Sequence, residues 1–329
     1  MELIFKKLAQ LSASLVFFIL AATAIVLYLS AKPAIEEFGV NFLFESRWGV
    51  EEKVELSAFE QSKQELVTGN IDDEDFITDD EGFITDDEDF VTDDDTETNS
   101  NSSKIIYGAL VPIVGTIFST LIAMLFSIPI AMGIAVFLSE IAAGSLSKPV
   151  GVAIELLASI PSIIYGMWGL FYFGPFIANI FGGNTVSLLV AGLVLGIMVI
   201  PFMAALSRDA ISTVPDLLKE SAYAMGATKL EVIKDVVFPY AKSGIIGSII
   251  LSFGRALGET MAVAFVIGGV YQFAGKVTDP TNSIPVVLAN SFAESNGLSL
   301  SVLFYLALIL FTMSFIVIAV AKFYFLRRK

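Results

Sequence analysis

Apolar residues along this chain fall in long uncharged blocks, not in the period-two alternation of a half-exposed strand, and such blocks predict membrane-crossing helices. Leu8–Ala31 carries no charge and follows Lys6 and Lys7. A bilayer core about 30 Å thick takes roughly 20 residues of helix, so this block predicts the first span. The apolar region of a cleavable signal is only about 7–15 residues long, which favours a retained helix. Ile105–Ser139 is uncharged over 35 residues. One crossing does not use all of it, so the second span is placed at Leu110–Leu138, bent at Pro129. From Pro149 to Ser207 the one charged residue is Glu155. Turn residues from Gly174-Pro175 to Gly182-Gly183-Asn184 divide that stretch into spans over 151–173 and 186–207. Ser243–Gly269, interrupted by Arg255 and Glu259, is the fifth span, and Leu298–Ala321 is the sixth.

Composition supports this reading: 55% of the 329 residues are hydrophobic, 16% are charged, and the mean hydropathy is +0.78. There is no Cys and no His, which excludes disulfides, thiol nucleophiles, Cys/His zinc sites and histidine bases. The net charge of -15 is unevenly spread. Residues 51–103 hold 20 acids against Lys53 and Lys63, which leaves the rest weakly basic. With no basic patch, nucleic acid is not expected as a partner. Six spans place both termini on one side. Lys6, Lys7, Lys148, Arg208 and the basic cluster after Ala321 mark that side as internal, while the short outer loops hold only Lys276, so the chain is N-in and C-in. The expected organisation is an N-terminal span (1–31), an acidic outer segment (32–104) and a membrane domain (105–329) with an inner loop over 208–242.

The acidic segment contains a seven-residue repeat, Asp72–Thr78, Asp79–Thr85 and Asp86–Thr92, with Phe76, Phe83 and Phe90 in one phase. It lacks the second apolar position of a coiled-coil heptad and reads as a solvated, disordered tether. Five positions from Asp79 to Glu88 fit an EF-hand loop, but Ile77 stands at the first ligand position.

The inner loop is the most informative polar segment. Thr213-Val-Pro215-Asp216 reads as a helix start, with Thr213 as the capping hydroxyl, and Gly226 suits a left-handed C-cap. Thr228-x-x-Glu231 is a capping box. It opens a second helix whose apolar face is Leu230, Ile233 and Val237 and which closes at Pro239. Two short helices at an angle form either a knob for a partner to grip or an ordinary linker.

These residues carry a resemblance. Glu220-Ser-Ala222-x3-Gly226-x9-Val236-x-Phe238-Pro239 is similar to the EAA loop of ABC-importer permeases, with Ser221, Val236 and Phe238 as departures. Ser159-Ile-Pro161-Ser162-Ile-Ile-Tyr165-Gly166 and Gly254-Arg255-Ala-Leu-Gly258-Glu259-Thr260-Met261-Ala262 look like the phosphate-specific, PstC-type branch. The resemblance covers about Leu110–Arg328. It implies an all-α, six-span, MetI-like type-I importer fold in the inner membrane of a prokaryote, and a permease subunit, itself not an enzyme, of an ATP-driven phosphate importer. It also implies a second homologous permease, an ATPase dimer gripping Glu220, Ala222, Gly226 and Pro239, and an external phosphate-binding protein. ATP would be bound by partner subunits and no cofactor by this chain. The nearest approach to a P-loop, Gly269–Val277, is one residue too long and lacks its Ser/Thr.

Within the spans, Arg255 and Glu259 stand four apart, close enough to pair across a helix face. Intramembrane charges face a cavity, a partner or a pathway. Either the pair fixes helix packing, or Arg255, partly neutralised by Glu259, passes an oxyanion without trapping it. Glu155 could reach Arg255 or lie at the inner interface. Ser159, Ser162 and Tyr165 offer hydroxyls to line a path, although hydroxyls also join helices in any bundle; Thr116, Ser119 and Thr120 read the same way. The rivals are a permease for another oxyanion, a stand-alone secondary transporter or channel, and a membrane receptor that uses the acidic segment.

Overall fold

The computed structural model describes residues 2–53 and 103–326. The acidic repeat and its partial EF-hand match lie outside the described residues. Six helical segments are long and apolar enough to cross a membrane, in agreement with the expected number, although several boundaries differ.

The first helix, α1 (Glu2–Phe38), runs beyond Ala31 and passes through Pro33. Its first half is exposed; from Ala21 a stripe of Ala24, Leu27, Ala31 and Ala34 turns inward. The alanines of that stripe let helices approach closely in an apolar medium. Below it Phe42 stacks on Tyr305 with ring centroids 4.7 Å apart. The residues Gly49–Ile106 form a separate unit, in which β1 (Val50–Lys53) and β2 (Ser103–Ile106) make an antiparallel ribbon with Val50 opposite Ile106 and Lys53 opposite Ser103.

In the helical body, α2 (Leu110–Val136) continues through Pro129 into a π-helical turn, Phe137–Ile141. Next comes α3 (Gly144–Ala158), which buries Gly151 and Ile154. The chain breaks at Ser159–Pro161 and restarts as α4 (Ser162–Trp168), a π-helical turn (Gly169–Phe173) and α5 (Gly174–Phe181). The third span is therefore 162–181, not 151–173. Its break is at Pro161, whereas Gly174-Pro175 lies inside the helix. Pro161 disfavours helix at the residue before it. Pro175 follows the wide π turn, which carries the chain past the point where its ring would meet the carbonyl four residues back.

The centre of the body is α6 (Leu188–Ser212), capped by the Ser187 side chain. Two thirds of its most apolar window is buried, against one third or less in the other spans. It lies tight on α2: a Cβ added at Gly192 would sit 2.6 Å from the Ile122 side chain and one at Gly196 3.0 Å from Phe126.

Beyond it lie α7 (Asp216–Ala224), α8 (Lys229–Glu231), a third π turn (Val232–Val237) and α9 (Phe238–Leu257). α9 ends short of the expected Gly269. A largely irregular segment follows, holding α10 (Met261–Ala264) and α11 (Ile284–Ser291), before α12 (Gly297–Leu326). Thr116 of α2 reaches this segment and its hydroxyl accepts the Ile284 N–H at 2.9 Å, capping a helix from a different part of the chain. Thr120 donates to the Thr116 carbonyl and Ser119 does likewise. Thr116 thus joins two elements, while the Ser119 and Thr120 hydroxyls are taken up within α2 itself.

Candidate translocation site and cytoplasmic knob

The site begins where α9 stops. Gly258 leaves the helix at φ -92° and ψ 1°, so Glu259 is not on a helix face shared with Arg255, and the expected ion pair is absent. The Glu259 carboxylate instead accepts the Ala262 N–H at 3.1 Å, satisfying an open donor at the start of α10. Arg255 lies half-buried in the last turn of α9, with Cζ 5.0 Å from the ring centroid of Phe202 on α6. Among the described residues no carboxylate pairs with it. A cation–π contact engages the guanidinium charge without consuming its hydrogen-bond donors. The negative end of the α9 dipole tempers that charge.

The restarted third span comes to the same place. A Cβ at Gly166 would sit 2.9 Å from the Phe265 ring and 3.0 Å from the Ala262 Cα, so α4 and α10 touch backbone to backbone. The two stretches 159–166 and 254–262 therefore converge. The Tyr165 hydroxyl donates to the Leu157 carbonyl at 3.0 Å and the Ser159 hydroxyl to Leu156 at 2.7 Å. Both are taken up by the backbone at the break. Ser162 is half-buried at the first position of α4.

Glu155 is not near Arg255: it pairs with Arg208, at the inner end of α6, over 2.8 Å. That guanidinium occupies the space a side chain at Gly151 would need. Charge and missing bulk together fix α3 against α6.

In the knob, Gly226 takes φ +89°, and Thr228 and Glu231 form the complete capping box. Ala222 is buried while Glu220 is exposed. Three details differ from expectation. Thr213 does not cap α7; its hydroxyl donates back to the Ala210 carbonyl at the end of α6. Pro239 does not end the second helix: it stands in the first turn of α9, after the π turn. Leu230 is exposed, and the buried face is Val232, Ile233 and Val237. Leu217, Met225 and Leu230 are 72%, 84% and 74% exposed, and that much apolar surface on a polar segment suits a protein contact.

Sequence reasoning missed Phe202, the Arg208–Glu155 contact and a Lys219–Glu140 pair of 2.7 Å. Glu140 carried a signal, being the first charge after the 35 uncharged residues. Phe202 carried none.

Comparison with known proteins sets this arrangement in a class. The family described as binding-protein-dependent transport system inner membrane component matches residues 105–329, and the chain belongs to it. It is 37% identical over 342 aligned positions to the phosphate transport system permease protein PstC of Haemophilus influenzae, covering 98% of this chain and 92% of that one. The PstC of Pasteurella multocida is 46% identical over 241 positions, 67% of this chain and 75% of its own. The fold is similar to a chain of the inward-facing MetNI methionine ABC transporter, with a TM-score of 0.50 and 22% identity, over 64% of this chain and 92% of that one.

Proposed function

We propose that this chain is a permease subunit of an ATP-driven importer of inorganic phosphate. The observation that carries the substrate is Arg255, a half-buried cation at the end of an interrupted helix, with no carboxylate paired to it among the described residues. The near full-length likeness to a relative named for phosphate transport supports the same reading.

The chemistry follows from the groups present. A phosphate oxygen entering beside Arg255 meets N–H donors suited to bidentate contact. One guanidinium, held on an aromatic face and beside helix-end carbonyls, binds an oxyanion weakly enough to release it, as conduction requires. Half of a path is built here, and a homologous second permease supplies the other half. The exposed apolar residues of the knob receive an ATPase subunit, which binds the ATP, and an external phosphate-binding protein delivers the anion.

Reconstitution of this chain with its sister permease, ATPase and binding protein in liposomes tests the proposal. Uptake of labelled phosphate should require ATP and the binding protein, and excess sulfate should not compete. Uptake of sulfate in preference to phosphate, or uptake by this chain alone, would overturn it.

A further inference from the structure

Among the described residues one ion pair is largely shielded at both ends. Lys219 Nζ lies 2.7 Å from Glu140 Oε1, with side-chain exposures of 16% and 7%. In the Arg208–Glu155 pair, by contrast, the carboxylate is 56% exposed. Lys219 is on α7, within the knob, and its alternative acid, Asp216, is farther away at 3.8 Å and 88% exposed. Glu140 sits in the π turn that ends α2, which the Ala142 N–H closes onto the Phe137 carbonyl at 2.7 Å.

Stability alone does not account for this pair. Burying two charges is costly, and well-packed apolar residues of similar volume hold a fold as well or better. What a charged hydrogen bond adds is direction. The rest of the knob meets the body through apolar side chains such as Ala222, Val232 and Val237, and such contacts are non-directional. Lys219–Glu140 fixes one point of the knob to one end of α2, and α2 in turn is packed closely on α6 at Gly192 and Gly196.

We propose that Lys219 and Glu140 are positioning residues for coupling: the pair makes the inner end of α2 follow the knob when the docked ATPase moves it. The inference rests on the reading of the knob as the ATPase contact.

The test uses the assembled transporter, with phosphate moved per ATP hydrolysed as the readout. The neutral double variant Glu140→Gln/Lys219→Met should assemble with its ATPase and keep hydrolysing ATP. Its transport per ATP should fall about fivefold or more, the lower range of coupling between sites. The exchanged pair Glu140→Lys/Lys219→Glu should recover most of that loss. Because the chain has no Cys, spin labels at Ile141→Cys and Ala224→Cys, both exposed positions, report the knob-to-α2 distance directly. That distance should stay constant through the nucleotide cycle with the native pair and vary without it. A neutral double variant with the native transport ratio and a constant label distance would overturn the inference. So would one that cannot assemble, since the pair would then only hold the fold. Failure of the functional proposal shows elsewhere, as absent phosphate uptake in the unaltered complex.

Discussion

The Tyr165 hydroxyl donates to the Leu157 carbonyl across the break that Pro161 makes. Leu157 is the residue four before Pro161, whose missing N–H cannot serve that carbonyl as a regular helix would. That carbonyl takes the Ile160 N–H at 3.3 Å instead, and the Tyr165 side chain gives it a second donor that ties the end of α3 to the first turn of α4. Tyr165→Phe should cost about 1 kcal/mol of stability, the usual net worth of one hydrogen bond, and leave phosphate uptake within about twofold. Thermal unfolding of the detergent-solubilised protein, read beside an uptake assay, separates this from a pathway role. A large loss of uptake without loss of stability would place the hydroxyl on the path.

Arg255→Gln should slow uptake severely while the complex still assembles. Arg255→Lys should restore it poorly, because an ammonium lacks the planar fork that stacks on Phe202 and grips an oxyanion bidentately. Glu259→Gln should be mild, since an amide oxygen can still accept the Ala262 N–H, and Glu259→Leu should be worse. Anion retention that increased in Glu259→Gln would mean that the carboxylate restrains Arg255 after all.

Gly226→Val should uncouple ATP hydrolysis from transport. A Cβ there meets open space, so the penalty is entirely in the backbone, about 1–2 kcal/mol for a left-handed residue. Gly226→Asn should be tolerated better because Asn visits that region more readily. Normal phosphate-stimulated hydrolysis and uptake in the Val variant would refute the assignment.

Thr116→Val should leave the Ile284 N–H unpaired at a buried site and cost about 1–3 kcal/mol, whereas Thr116→Ser should be nearly neutral. Denaturation midpoints of the two variants decide between a cap and mere packing.

How far the sequence could be read depended on the range of the interaction. The Gly226 turn and the Thr228–Glu231 box were legible because their chemistry is complete within four residues. The span count was legible because bilayer thickness sets a length that composition must meet. Pro161, Pro175 and Pro239 were not separable, because a proline breaks or continues a helix according to the turn before it. A π turn precedes two of them, and no simple residue pattern announces one. Arg255 was visible as a costly charge, but its neighbour was misjudged. Helical spacing assigned it Glu259, whereas the helix ends at Leu257 and the side chain meets Phe202 from another span.

The β1–β2 ribbon has a practical consequence. Lys53 and Ser103 face each other, so the two ends of the acidic segment meet at one point. Whatever joins them need only turn the chain around. Residues 54–102 should therefore be exchangeable cargo: an Asn-Gly turn, which favours tight hairpins, or a folded reporter with adjacent termini could take their place. Closure entropy changes by only about 0.6 kcal/mol per doubling of loop length. Phosphate uptake at moderate salt should survive such an exchange, and the ribbon would serve as a socket through which this subunit can be tagged, tracked or captured.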